Sequence, residues 1–272
     1  MSVRVDIAIV GGQKCGTTTL YRSLARHSAL FAPAAKESRA FTLDDDARNA
    51  ALQALYAEQG NRRGLHAYAH AWSLDSAIAA MYRHNPSMQL VALTRDPVER
   101  IWSAYRFAVA NGWETLPLAD ALAAESGRRQ GTRIEQVELQ YVGNSRYDAH
   151  LAALHRHFPK TQVHVLQMTA LGDASSTALA PLLQALELDT ETLAPLTSQN
   201  TASNAKSATL QRWILGESLL KRLVRQTVSP HWKTRIHQHL TAPLLSWNRE
   251  PAVPSVLTQD ARALISAALD AS

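Results

Sequence analysis

The chain has 272 residues, 46% of them hydrophobic and 19% charged, a globular composition long enough to bury a sizeable core and unlike a disordered chain. A formal net charge of +5 with a pI near 9.5 favours an anionic partner without choosing among nucleotide, nucleic acid, polysaccharide or membrane. One cysteine, Cys15, excludes an internal disulfide framework and a cysteine-rich zinc site.

Residues 3–10 are β-branched and almost continuously apolar, the pattern of a strand buried on both faces of a parallel sheet. That run meets Gly11 too early for a secretory leader, and no apolar run approaches the roughly 20 residues of a membrane span. A cytoplasmic protein without a membrane span is the expectation. Residues 17–27 follow with helical spacing of Leu20, Tyr21 and Leu24, so strand, tight turn and helix come in the order of a phosphate-binding βα unit. Helices are expected at 45–59 and 73–84, separated by a polar stretch around 61–64. A second unit then repeats the logic, with a strand at 88–94, a turn at Arg95-Asp96-Pro97 and a helix at 98–110, where proline suits the first helical turn. Helix 144–158, strand 161–167 and helix 175–186 complete an alternating α/β order, and from residue 205 onward the chain reads as mostly helical. The expected fold is therefore α/β: one domain over residues 1–272, a P-loop-like parallel sheet flanked by helices, with a mostly helical C-terminal third.

Two segments carry the chemistry. The first, Gly11-Gly12-Gln13-Lys14-Cys15-Gly16-Thr17-Thr18-Thr19, offers small residues, a cation and hydroxyls at a helix N-terminus. In an NTPase P-loop the lysine directly follows the second glycine, whereas Lys14 lies two positions before Gly16. The second segment, about 80 residues on, places Arg95 at a strand's carboxyl end, where open α/β sheets bind ligands, and Ser103 on the helix that follows. By themselves these residues leave open an enzyme of group transfer, a magnesium-dependent small-molecule kinase, and a non-catalytic anion or nucleic-acid binding module. The 218–249 region, rich in arginine, lysine and histidine and free of acids, is either a solvated helical face or an anion-facing surface.

Residues 10–20 resemble the 5′-phosphosulfate loop of sulfotransferases that use 3′-phosphoadenosine-5′-phosphosulfate (PAPS), in the branch of heparan sulfate and bacterial carbohydrate sulfotransferases. That family writes the loop approximately P/G-x-K-x-G-T-T/S-x-L. Arg95-Asp96-Pro97 through Arg100, Ser103 and Tyr105 resembles its 3′-phosphate motif, R-D-P-x-x-R-x-x-S-x-Y. The resemblance implies donor contacts from Gly12, Gln13, Lys14, Cys15, Gly16, Thr17, Thr18 and Thr19 to the phosphosulfate, and from Arg95 and Ser103 to the 3′-phosphate. Arg100 and Tyr105 fall at positions of structural support. Lys36-Glu37 through Phe41 resembles the family's K-E-x-x-F-F segment, which implies Glu37 as the general base, with catalytic Lys14 and Lys36 countering the charge on the phosphosulfate. Asn144-Ser145-Arg146-Tyr147 through Phe158-Pro159 also resembles a family stretch. In a later loop Ala205 and Lys206 stand where relatives have proline and arginine. The segment 64–72 departs from the family's G-E-x-T/S-P-x-Y: Leu65 replaces the glutamate, and His66, His70 and Trp72, together with Lys36, are the acceptor-site candidates.

The implied reaction moves a sulfo group from PAPS to a hydroxyl, or an amine or amide nitrogen, of a glycan, glycolipid or small-molecule acceptor. It releases adenosine 3′,5′-bisphosphate and needs neither metal nor nucleic acid.

Overall fold

A computed structural model describes residues 3–171, 176–189, 203–205, 249–251 and 256–271. They fall into two compact units, residues 1–101 with 142–200 and residues 102–141 with 201–272.

The first unit is built on a five-stranded parallel sheet of strands β1 (Val5–Gly11), β2 (Leu30–Phe31), β3 (Arg63–Ala67), β4 (Gln89–Thr94) and β5 (Val163–Gln167). Their spatial order is β2-β3-β1-β4-β5. Side chains alternate between two buried faces. Ala8, Val10, Leu90 and Ala92 pack against helices α2 (Asp45–Leu55), α3 (Asp75–His84) and α8 (Tyr147–His155) through Leu52, Ile78, Met81 and Leu154. Ile7, Ile9, Val91 and Leu93 pack against α1 (Thr17–Leu24) and α9 (Ser176–Ala185) through Leu20, Leu24, Leu179 and Leu183. Burial on both faces is why β1 and β4 are apolar almost without interruption.

The sheet contains the three expected strands and two more, the short edge strand β2 and β3. β3 begins in the polar stretch at 61–64 and runs to Ala67 as an inner strand between β2 and β1. Arg-Gly-Leu-His-Ala carries little β-propensity. Its Gly64 is required by close backbone approach, because a Cβ there would lie 2.3 Å from the Arg4 carbonyl oxygen.

The same strand sends His66 into the core. The ring is 2% exposed, edge-on to Phe41 at 5.0 Å, with Nδ1 3.3 Å from the Tyr56 hydroxyl. Trp72 is also fully buried, stacked on His150 at 5.0 Å and leaning on Tyr147. Both had been expected at an acceptor surface. They are packing residues, because the segment that holds them runs through the interior rather than over it.

The second unit contains the greater part of α4 (Pro97–Ala110), the short helices α5 (Leu118–Ala123), α6 (Glu125–Arg128) and α7 (Arg133–Val137), and helix Gln259–Asp270, which packs on α5. Ser203–Ala205 and Arg249–Pro251 pair antiparallel. Its interior is organised by Glu114, whose carboxylate receives Arg128 at 2.6 and 3.0 Å and the Tyr141 hydroxyl at 2.9 Å. Burial pushes the Glu114 pKa up, but these donors and the Leu116 N–H outweigh it and hold the carboxyl below its ordinary range. The basic 218–249 region, except Arg249, and Lys206 lie outside the described residues. Among the described residues no helix is long and apolar enough to cross a membrane.

Burial pushes the His66 pKa down to about 4, the Ser38 backbone opposing that shift and nearby His84 adding to it. A base whose folded pKa lies below its unfolded value stabilises the fold above pH 6.5 and loses that contribution as pH falls toward 4, on the order of 3 kcal/mol. His84, lowered by burial and then by Arg48, acts in the same direction. Urea midpoints compared at pH 7 and pH 4.5 should therefore fall less for His66→Gln than for the unaltered chain; equal falls would contradict this account of the core.

Candidate functional site

In the strand order β2-β3-β1-β4-β5, the connection leaving β1 goes to one side and the one leaving β4 to the other. The crevice of such a sheet opens at the carboxyl ends of these two neighbours. Their register pairs Gly11 with Leu93, so both strands stop at the same level. Both motifs are thereby delivered to one place: the 12–16 loop leaves β1 beside Arg95 leaving β4.

The loop is a tight turn, with Gly12 N–H donating to Leu93 O at 3.3 Å and Cys15 N–H to Gly12 O at 3.1 Å. Lys14 has φ 72° and Gly16 φ 89°, left-handed conformations on either side of Cys15. Non-glycine residues adopt that region at a cost, and alternation of this kind turns successive N–H groups toward a common concave face that suits an anion. At Gly16 a Cβ would also lie 2.8 Å from Leu171 Cδ1.

Helix α1 begins at Thr17 with no side-chain cap and no acid in its first turn. Capping varies from helix to helix: α3, α5, α6 and α8 also begin without a side-chain cap. Asp44 caps α2 by accepting Ala47 N–H at 2.9 Å, and Thr132 with Glu135 forms a full capping box on α7. A side-chain cap contributes about 1 kcal/mol, and the first turn of α1 has none. The Lys14 pKa is lowered by burial and then by Arg95, whose guanidinium adds its charge nearby.

Two arginines brace the turn by its carbonyls. Arg95 reaches Lys14 O at 3.4 Å and pairs with Glu99 at 3.1 Å. Arg100 is fully buried, donates to Ser145 Oγ at 2.5 Å and reaches Gln13 O at 3.4 Å. Cys15 points inward, its Sγ 3.6 Å from the Tyr147 hydroxyl and its thiol pushed up by burial, so what it offers an anion is backbone. Asp96 uses its carboxylate on the start of α4, accepting Glu99 N–H at 2.9 Å. Ser145 and Tyr147 thus hold the loop from behind, a role their motif alone did not disclose.

Glu37 comes to the same end of the sheet by pairing. It forms a parallel bridge with Ala67, the last residue of β3, and its Oε2 accepts Ala69 N–H at 3.1 Å. Its other oxygen meets the Lys36 ammonium, which also donates to Thr17 Oγ1 at 3.3 Å. Nearby Tyr21, bonded to Pro33 O, is pushed up to about 12 by burial and then by Glu37. Lys14 with Arg95, and Thr17 with Lys36 and Glu37, form one set through the backbone of residues 14–17. His70 is buried beside the edge of Tyr68. Ser103 lies on α4 within the second unit, half-buried.

Gly16→Ala combines an unfavourable φ with a contact on Leu171, and should destabilise the protein by about 1–3 kcal/mol. A urea melt measures this; an unchanged midpoint would show that the turn tolerates a side chain and is not built as described.

No family model and no curated protein matches the chain. Solved structures do. A sulfotransferase from Alicyclobacillus acidocaldarius superposes with a TM-score of 0.63 at 21% identity, over 89% of this chain and 93% of that one. The sulfotransferase domain from the curacin biosynthetic pathway gives 0.49 at 14% identity, over 98% of each chain. Mouse sulfotransferase SULT7A1, complexed with PAP, gives 0.46 at 12%, over 96% of this chain and 88% of that one. The first of these establishes that the chain has a sulfotransferase fold.

Proposed function

We propose that this chain, folded as a sulfotransferase, transfers a sulfo group from PAPS to a hydroxyl of a carbohydrate, glycolipid or secondary metabolite, or to an amine or amide nitrogen. The observation that carries the reading is the junction of an uncapped α1 and its Lys14 turn with Arg95 at the ends of adjacent strands β1 and β4. A nucleotide with phosphates at both 5′ and 3′ positions is the anion for which this family motif pair is built. Lysine placed before Gly16 separates the loop from that of an NTPase.

The residues fit such a donor. The N–H groups at the start of α1 and the Lys14 ammonium would hold the 5′-phosphosulfate, with Gly12, Gln13, Cys15 and Gly16 supplying backbone and Thr17, Thr18 and Thr19 supplying hydroxyls. Arg95, whose planar fork suits phosphate, and Ser103 carry the motif's reading as 3′-phosphate ligands. The donor supplies an activated sulfo group on a phosphate leaving group.

Glu37 takes the proton shed by the acceptor hydroxyl as that oxygen bonds to sulfur. Lys14 and the α1 N-terminus receive the negative charge that collects on the departing phosphate as its bond to sulfur breaks. Such stabilisation of developing charge by fixed donors is the larger contribution, and the general base adds roughly 100-fold or more. The product left in the site is adenosine 3′,5′-bisphosphate. With His66 and Trp72 in the core, Lys36 and Glu37 are the residues of this set left to meet an acceptor.

The test is incubation with PAPS and a panel of hydroxyl and amine acceptors, with mass detection of the added sulfo group. Transfer is expected, and Glu37→Gln should lower kcat by about 100-fold. Full turnover in that variant would remove Glu37 as base, and absence of transfer and of bisphosphate release across the panel would contradict the reading.

A further inference from the structure

Lys36 lies at the contact between the two halves of the proposed reaction. Its ammonium donates to Thr17 Oγ1, in the first turn of α1, and to the Glu37 carboxylate. The Lys36 side chain is only 14% exposed, whereas that of Glu37 is 47% exposed. An ammonium has three N–H donors on a flexible four-carbon stem, and can turn from one acceptor toward another. Glu37 cannot follow it. Its backbone is bridged to Ala67 and its second oxygen is fixed by Ala69 N–H. The pair can therefore separate by motion of the lysine alone, with the carboxylate staying where it is.

Building on the function proposed above, we infer that Lys36 is a positioning residue that couples donor binding to exposure of the base: an anion at the Thr17 end of α1 competes with Glu37 for the Lys36 ammonium. When the anion is absent, Lys36 covers Glu37 Oε1, the carboxylate oxygen not engaged by Ala69. When the anion is present, the ammonium swings toward it and Oε1 is left open to the acceptor proton. The arrangement favours donor before acceptor and keeps the base covered while the donor site is empty.

Coupling of this kind is reciprocal, so the carboxylate must weaken anion binding by as much as the anion weakens the ion pair. That gives a test needing no acceptor. Adenosine 3′,5′-bisphosphate is titrated calorimetrically into the unaltered protein, Glu37→Gln, Lys36→Met and the double variant. Glu37→Gln should tighten binding about fivefold when Lys36 is present and leave it nearly unchanged in the Lys36→Met background. Lys36→Gln, which retains a donor for the Thr17 hydroxyl, serves as a second neutral background should Lys36→Met fold poorly, and the same loss of coupling is expected. Equal effects of Glu37→Gln with and without Lys36 would overturn the inference while leaving the proposed function in place. Failure of the unaltered protein to bind the bisphosphate would overturn both.

Discussion

The pairing of β1 with β4 is the constraint on which the site depends. One motif is a turn before a short helix, the other an arginine before a longer one. Register Gly11 to Leu93 sets both at the same height on neighbouring strands. A shift of one residue along this pair would reverse which side chains face each helical layer, so two buried faces of the sheet fix the register tightly. The core thereby specifies where the two motifs meet, the site proposed to hold the anion.

That site concentrates positive charge. Lys14 sits in a left-handed conformation beside Arg95, while Arg95 and Arg100 use loop carbonyls as partial partners. Arg95 is also paired with the Glu99 carboxylate, and Arg100 donates to Ser145 Oγ. The uncapped α1 adds its dipole to the same point. A ligand with concentrated negative charge gains from all of these at once, and finds the donors already aimed. Lys36 extends this field to Glu37, linking the place where charge accumulates to the place where a proton leaves.

The sequence disclosed the parts of the fold that rest on local pattern. β1 and β4 were legible because burial on both faces demands an apolar run, and the Arg95-Asp96-Pro97 turn because proline suits the first turn of a helix. β3 was not legible. Its Gly64 answers a backbone contact with Arg4, and its His66 points into a core of Phe41 and Tyr56, neither of which alternation reveals. For the same reason His66 and Trp72 read as surface chemistry: polar and aromatic residues near a glycine look alike whether they line a cleft or pack beneath it. The Lys36-Glu37 segment was recognisable as a motif, but its attachment to Ala67 and Ala69 is a long-range pairing that no spacing encodes.

The central claim is that the crevice between β1 and β4 grips a nucleotide by two separate phosphates, with Arg95 serving the 3′ one. Calorimetric titration of adenosine 3′,5′-bisphosphate against adenosine 5′-monophosphate and against ATP with magnesium tests it directly. The bisphosphate should bind more tightly than either, and Arg95→Ala should erase its advantage over the monophosphate. Tighter binding of ATP with magnesium, or an advantage that survives Arg95→Ala, would contradict the account.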